Sequence, residues 1–465
     1  MCRCMPLAAP PPAAGTLELI GATPMVRVRH LDTGPCELFL KLESANPGGS
    51  IKDRIGLSMI AAAERDGSLG GDRRHLVEAT AGNTGLGLAL VAAQRGYRLT
   101  LVIPDKMSRE KILHLKALGA EVVMTRSDVG KGHPEYYQDL AERIAREEGA
   151  FHVNQFANPA NPAAHETGTG PEIVAQLGGR LDAMVCGVGS GGTLTGLSRH
   201  LAAAVPGCEL VLADPEGSVL AGYVETGTIG RAGSWLVEGI GEDFLPPVAD
   251  LSRVRRAYRI PDRESLETAR ELLRAEGILA GSSTGTLLAA ALRHCRAADR
   301  PLRVCTLVCD SGNKYLSKMF DDLWMLEQGL SDRPTVGDLT DLVTRRFADR
   351  AVVTTGPGDP LLVALNRMKA NDVSQLPVVE GGRVVGIVDE SDLLLAAVDD
   401  ASRLSLPVRD VMATRLETVT PATPLKVLLP MFAAGLVPIV MDGDRFVGLV
   451  TRMDVLGALR RRLAR

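Results

Sequence analysis

Between about residue 16 and residue 325, short β-branched runs alternate with longer stretches whose apolar positions recur at helical spacing. The runs Leu38–Leu42, His75–Glu78, Leu99–Ile103, Glu121–Thr125, Ala183–Cys186, Glu209–Ala213 and Arg303–Val308 predict strands. The stretches Arg54–Asp66, Gly85–Gln94, Arg109–Leu118, Tyr137–Glu148 and Leu266–Glu276 predict helices. This alternation predicts an α/β fold with doubly wound, mostly parallel sheets covered on both faces. Such folds seat ligands in loops at the carboxyl ends of their strands.

Near Gly329–Pro334 the texture changes, and Ser331-Asp332-Arg333-Pro334 reads as a linker. Beyond it, Asp359–Ala397 and Thr423–Leu459 repeat each other. Gly386 matches Gly448 and Asp392 matches Asp454, both at an offset of 62 (448 − 386). An internal repeat of this length outweighs any single motif. Each copy predicts a small βαββα unit, too short to bury its apolar face alone, so the two are expected to pack on each other. The expected organisation is a disordered tail at 1–15, a catalytic domain at 16–330, a linker at 331–338, and two modules at 339–400 and 401–465.

Composition narrows the classes. The 465 residues carry a net charge of −4 and are 3% aromatic, which argues against a general nucleic-acid binder. No run approaches the roughly 18 apolar residues of a membrane span. Met1–Gly15 is Pro/Ala-rich and lacks the charged head and apolar stretch of a signal peptide. Eight cysteines scattered along the chain, several in apolar runs, predict a reduced, cytoplasmic protein rather than a disulfide framework. Neither Cys2/Cys4 nor Cys305/Cys309 has a second ligand pair at zinc spacing, so no metal site is expected.

Three glycine-rich loops follow predicted strands. The first, Asn46-Pro47-Gly48-Gly49-Ser50-Ile51-Lys52-Asp53-Arg54, opens a helix with Ser50 as a candidate cap. A cation at Lys52 opposes the helix dipole. It is either a solvated lysine or an amine with a lowered pKa, suited to bonding a carbonyl. The second, Glu78-Ala79-Thr80-Ala81-Gly82-Asn83-Thr84-Gly85-Leu86-Gly87, is either an ordinary capped turn or a cradle for a carboxylate or phosphate. The third, Gly187-Val188-Gly189-Ser190-Gly191-Gly192-Thr193, offers main-chain donors without side chains, a phosphate loop on physical grounds. A fourth segment, Ala280-Gly281-Ser282-Ser283-Thr284-Gly285, precedes the helical stretch Leu287–Ala291.

The third loop also satisfies G-x-G-x-x-G, and Asp214 follows Gly192 by 22 residues (214 − 192), near the spacing of a ribose-binding acid. A nicotinamide enzyme is therefore a rival reading. The company of the loops separates the two. A nicotinamide enzyme needs neither the lysine loop nor the Thr80–Thr84 loop. Pyridoxal phosphate needs an amine for its aldehyde, donors for its ring hydroxyl and for a substrate carboxylate, and a phosphate cup.

Together, "NPGGSIKDR", "GNTGLGLAL", "GVGSGGTLTG", "DPEGSV", "EGIGEDF" and "DSGNKYLSKMFDDLWM" resemble the β-family (fold type II) of pyridoxal-phosphate enzymes, and within it the cystathionine β-synthases. The resemblance runs from about Leu17 to Gly329, and the C-terminal repeats look like the paired CBS modules of that family. It implies that Lys52 bonds the cofactor and moves the substrate α-proton, and that Asn83 meets the ring oxygen. Gly189, Ser190, Gly191, Gly192 and Thr193 would form the phosphate cup, and Ser283 would face the pyridine nitrogen. Thr80, Ala81, Thr84 and Gln155 would hold the substrate carboxylate. The implied reaction is replacement of the serine hydroxyl by homocysteine, giving cystathionine.

Two departures bear on substrate. Ala81 stands where this family is expected to carry serine, and Gln155-Phe156 is similar to the related O-acetylserine sulfhydrylases. An enzyme using O-acetylserine and sulfide is thus the alternative. No histidine precedes His30, so haem is not expected. His165 is the one histidine placed near the expected substrate mouth. In the modules, Thr451 and Asp454 match a ribose-binding pattern for an adenosine-type ligand, whereas Asp389 with Asp392 would repel a phosphate. A pure dimerisation module is the other reading of the repeats. A homodimer is expected, since symmetric assembly is the common case.

Overall fold

The computed structural model describes residues 12–463 apart from Ala81, Lys106 and Lys131. Ala81, a substrate-binding candidate, lies outside the described residues, as do Cys2 and Cys4. The chain divides into two compact units, Met1–Asp321 and Asp322–Arg465.

Among the described residues the first unit holds ten strands: β1 Met25–Arg27, β2 Glu37–Leu42, β3 His75–Ala79, β4 Arg98–Pro104, β5 Glu121–Thr125, β6 Phe151–His152, β7 Ala183–Cys186, β8 Glu209–Pro215, β9 Val254–Ile260 and β10 Arg303–Val308. They form a six-stranded sheet, β1-β2-β10-β7-β8-β9, and a four-stranded sheet, β5-β4-β3-β6. Every pair is parallel except the three-residue edge pair of β1 with β2. The predicted doubly wound α/β class is what the chain adopts, as two sheets. β7 and β10 are almost wholly buried, as expected of strands covered on both faces. The strand β9 was not visible in the pattern. Only its ends, Val254 and Ile260, are buried, and Arg255, Arg256 and Arg259 between them are exposed. Charges are tolerated there because β9 is a sheet edge.

Helices begin earlier than the apolar periodicity predicts. Those predicted from Arg54, Gly85 and Leu287 start at Lys52, Asn83 and Ser282. Their first turns are polar, which hides them from a hydrophobic pattern. These polar turns sit at the carboxyl ends of the sheets.

Helix Lys52–Arg65 packs on helix Asn83–Arg95 at a distance only glycine permits. A Cβ on Gly56 would lie 2.7 Å from the Gly87 carbonyl carbon, and one on Gly87 would lie 2.6 Å from the Lys52 carbonyl oxygen. Backbone meets backbone, so nothing flexible can yield.

In the second unit the strands are β11 Gln375–Glu380, β12 Arg383–Asp389, β13 Thr418–Val419, β14 Ile439–Asp442 and β15 Arg445–Leu449. β11 pairs β12, and β13-β14-β15 form a three-stranded sheet. The repeats share detail beyond sequence. Their hairpins shift register at Val378/Val379 and at Val440/Met441, the same offset of 62 (440 − 378). Each matched glycine admits a crossing segment. A Cβ on Gly386 would meet Met412 sulfur at 2.5 Å, and one on Gly448 would meet Val343 Cγ1 at 2.4 Å. Each repeat has a core, around Leu361, Leu376 and Val388 in one and Leu428, Val440 and Val450 in the other. Leu339 and Val343 are buried in the latter. β12 and β15 lie against each other, joining the copies.

Gly87→Ala is expected to destabilise the protein by about 1–3 kcal/mol or more, the cost of overpacking against rigid backbone. Thermal melting checks this, and an unchanged melting temperature would contradict the contact.

Candidate active site

Four loops leave the carboxyl ends of parallel strands in the first unit. The loop after β2 leads to Lys52, that after β3 to Thr80 and Asn83, that after β7 to residues 187–192, and that after β10 to Asp310 and Lys314. The segment 309–311 joins the Lys52 loop to the turn before helix Ser282–Arg296. Ile51 N donates to Cys309 O (2.8 Å), Ser311 N to Gly49 O (3.1 Å), and Gly281 N to Asp310 O (3.1 Å).

Lys52 is the first residue of its helix, and its backbone N–H donates to Ser50 Oγ at 3.3 Å. Asp53 turns back to accept from Gly48 N at 2.5 Å, closing the glycine loop. Arg54 anchors the same turn from beneath. It bonds Glu43 (2.7 and 2.9 Å) and Glu172 (2.7 and 2.8 Å), and Lys41 completes the buried ion network at 2.7 Å from Glu172. The Lys52 amine has no hydrogen-bond partner among the described residues. Burial pushes it below the ordinary lysine range, against the opposing pull of Cys309, Cys186, Asp310 and Glu242.

Asn83 opens the neighbouring helix. Its Nδ2 donates to Asp310 Oδ2 (2.7 Å), and its Oδ1 accepts from Lys314 Nζ (2.9 Å). Asp310 also accepts from Tyr315 OH at 2.7 Å. The third loop turns at Gly191, in a left-handed conformation (φ 91°), into helix Gly192–Ala204. A Cβ on Gly192 would sit 1.8 Å from Asn161 Oδ1, so only glycine fits there. Ser190 Oγ accepts from Asn161 Nδ2 (2.9 Å), leaving its hydroxyl hydrogen to donate. Thr193 Oγ1 meets His165 Nε2 at 3.2 Å.

The match to a family of pyridoxal-phosphate-dependent enzymes spans residues 16–310, and matches to the CBS domain span 340–399 and 408–461. A cystathionine beta-synthase of Dictyostelium discoideum is 34% identical over 95% of this chain and 91% of its own length. The chain belongs to the cystathionine β-synthase family. The rabbit (Oryctolagus cuniculus) cystathionine beta-synthase is 38% identical over 81% of this chain and 70% of its own. The crystal structure of a hydrogen sulfide-producing enzyme from Fusobacterium nucleatum superposes with a TM-score of 0.60 at 36% identity, over 65% of this chain and all of that one.

The site residues fit the cofactor of this family. The β7 loop is a cradle that added side chains would fill, it opens a helix, and Ser190 is primed as a donor. The Lys52 amine, without a hydrogen-bond partner among the described residues and with its pKa lowered by burial, has the chemistry to bond an aldehyde. Ser283 is buried in the first turn of helix Ser282–Arg296, beside the Cys309 thiol. Thr80, Thr84 and Gln155 are buried together. Thr84 Oγ1 donates to Gln155 Oε1 (2.6 Å), Gln155 Nε2 to Ala79 O (3.1 Å), and Thr80 Oγ1 accepts from Gly82 N (3.0 Å).

Other expectations find different partners. His165, expected near the substrate mouth, is fully buried on a π-helical turn, His165–Thr169, and bonds Thr169 and Thr193. Burial holds it well below the usual histidine range, so it is a neutral prop for the third loop. Asp214, the acid of the nicotinamide reading, accepts from Ala221 N (2.8 Å) at the start of a helix. In the second unit, Thr451 Oγ1 donates to Asp454 Oδ2 (2.6 Å), and Asp389 and Asp392 form a reciprocal capping box. A cavity of about 410 Å³ lies elsewhere, between Gly337–Leu342, Pro421–Leu425 and the face Val455–Leu459. Among the described residues no His/Cys/Asp/Glu cluster could hold a metal, and no helix is long and apolar enough to cross a membrane.

Sequence reading singled out neither Asp310 nor Lys314. Both lie in the DSGNKYLSKMFDDLWM motif, but no role was attached to either; their further signal was position, since they follow β10 as Lys52 and Asn83 follow their own strands. Glu78, at the end of β3, was also missed. Burial pushes its carboxyl up to about 8, Oε1 accepts from Gln155 N (3.4 Å), and Oε2 has no partner. A carboxyl raised in the fold stabilises fully below its unfolded value of about 4.3 and loses that contribution as pH rises through its folded value. Stability is therefore expected to fall between pH 5 and pH 8, and less steeply in Glu78→Gln. Melting curves across that range check this, and parallel profiles would contradict it.

Proposed function

We propose that the chain condenses L-serine with L-homocysteine to L-cystathionine, a β-replacement in transsulfuration. The reading is carried by a relative that matches 95% of the chain, together with the amine at the start of the helix that follows β2. Pyridoxal phosphate, when bound, supplies the electron sink that acidifies the substrate α-carbon and lets the β-hydroxyl leave. Lys52 would hold the cofactor and then, as a free amine, take the α-proton and return it. Its lowered pKa favours that work near neutrality. Main-chain N–H groups of Gly189–Gly192 with the Ser190 and Thr193 hydroxyls would hold the phosphate. Asn83 Nδ2 would meet the ring oxygen, and Ser283 the pyridine nitrogen. Thr80, Thr84, Gln155 and the main chain at Ala81 would orient the substrate carboxylate. A hydroxyl at the pyridine nitrogen does not fix a proton there as a carboxylate would, which favours elimination over a long-lived carbanion.

The second reading, a cysteine synthase-like transfer of sulfide onto O-acetylserine, is favoured by Ala81 and by Gln155-Phe156. The two CBS-domain matches support an adenosine-type ligand at the modules, with Thr451 and Asp454 as its candidate ribose contacts, and a homodimer. The free cysteines at 36, 186, 208, 295, 305 and 309 suit a cytoplasmic setting.

Purified protein assayed with both substrate pairs should turn over serine with homocysteine faster than O-acetylserine with sulfide. Lys52→Ala should lose at least about 10²–10⁴-fold. The reverse preference would install the second reading, and an undiminished Lys52→Ala would end both.

A further inference from the structure

Lys314 is a buried lysine in the middle of the site, and neither the loop motifs nor the proposed reaction uses it. It sits on the short turn Gly312–Tyr315, set by the Ser311 side chain accepting from Asn313 N. Its ammonium has three acceptors and no water-facing role. Gly48 O and Gly49 O each lie 3.1 Å away, and Asn83 Oδ1 lies 2.9 Å away. The first two belong to the loop that carries Lys52, and the third to the residue proposed to meet the cofactor ring.

An asparagine amide can face either way in a site, because its oxygen and nitrogen are similar in size. Here both ends are specified. Lys314 offers only donors, so it demands the oxygen. Asp310 Oδ2 accepts, so it demands the nitrogen. One Nδ2 hydrogen is then used by Asp310, and the other remains for an acceptor in the cleft. We propose that Lys314 is a positioning residue for the cofactor: it fixes the Asn83 amide with its nitrogen toward the ring oxygen and places a positive charge against that edge of the ring. The inference rests on the cofactor seat described above and not on which nucleophile is used.

The surroundings make that charge adjustable. Burial pushes Lys314 down to about 8, helped by Lys111 and opposed by Asp310 and Asp53. His114 also faces it, and its own value is lowered by burial and by Lys314. Lys111 is held in turn by Glu238 (2.6 Å), Glu238 by Lys318 (2.7 Å), and Lys111 donates to Tyr315 OH (3.0 Å). Polar contacts thus run from Lys318 through Glu238, Lys111, Tyr315 and Asp310 to Asn83.

The test compares wild type with Lys314→Gln, which keeps neutral donors, and Lys314→Met, which keeps none. Two quantities are read: the absorbance of bound pyridoxal phosphate against pH, and the affinity of apoprotein for pyridoxal phosphate. Wild type should show a spectral transition near pH 8 that both variants lose or shift by about one pH unit or more. Both variants should bind pyridoxal phosphate about tenfold or more weakly. Unchanged titration and affinity in a folded variant would overturn the role. Should the variants fail to fold, trace acetylation of wild-type Lys314 across pH decides. Protection on adding pyridoxal phosphate supports the role, and identical reactivity with and without it overturns it. A protein that takes up no pyridoxal phosphate at all would overturn this role together with the reading it rests on.

Discussion

The site depends on keeping one amine out of ordinary solvation at the start of a helix. An ammonium at Lys52 opposes both the helix dipole and its buried setting, and these push it toward the neutral form. The surrounding structure makes that placement affordable. Arg54, two residues on, fixes the helix to Glu43 and Glu172. Burial alone would raise the Glu172 carboxyl, but the hydrogen bonds from Arg54 and Lys41 hold it down at about 2, so Glu172 stays charged at any moderate pH. Removing one member of such a network leaves buried charge unpaired, at a cost of about 3–5 kcal/mol.

The second constraint is distance. Lys52 and Asn83 each begin a helix, and the two helices touch through Gly56 and Gly87. Their first turns therefore open side by side. Asp310 spans the remaining gap, because the segment after β10 bonds to the Lys52 loop on one side and to Gly281 on the other. One carboxylate group thereby connects Asn83 and Tyr315. Lys52, Asn83 and the third loop follow three strands of two sheets. Backbone contact through Gly56 and Gly87 sets the first two side by side, the Asp310 side chain holds Asn83, and the Asn161 side chain holds the third loop at Ser190.

Much of this was legible in the chain. Strands buried on both faces read as short apolar runs, and the loops read as clusters of Gly, Ser, Thr and Asn. The polar first turns at Lys52, Asn83 and Ser282 hid the true helix starts, and they are where the candidate chemistry sits. β9 was hidden because an edge strand tolerates the arginines that erase its alternation. Asp310 and Lys314 were hidden for a different reason. Lys314 meets Asn83 across 231 positions of sequence, and no local pattern records such a meeting. His165 was expected near the substrate mouth, but it lies on a π-helical turn, buried against Thr169 and Thr193.

The central claim is that Lys52, and no other amine, carries the cofactor. Lys314 is the natural control, being a buried lysine in the same site. Treating the yellow holoenzyme with borohydride and mapping the reduced pyridoxyl group by peptide mass spectrometry tests this most directly. The account predicts modification of the peptide containing Lys52 and of that residue alone. A pyridoxyl group on Lys314, or on no lysine of the first unit, would contradict it.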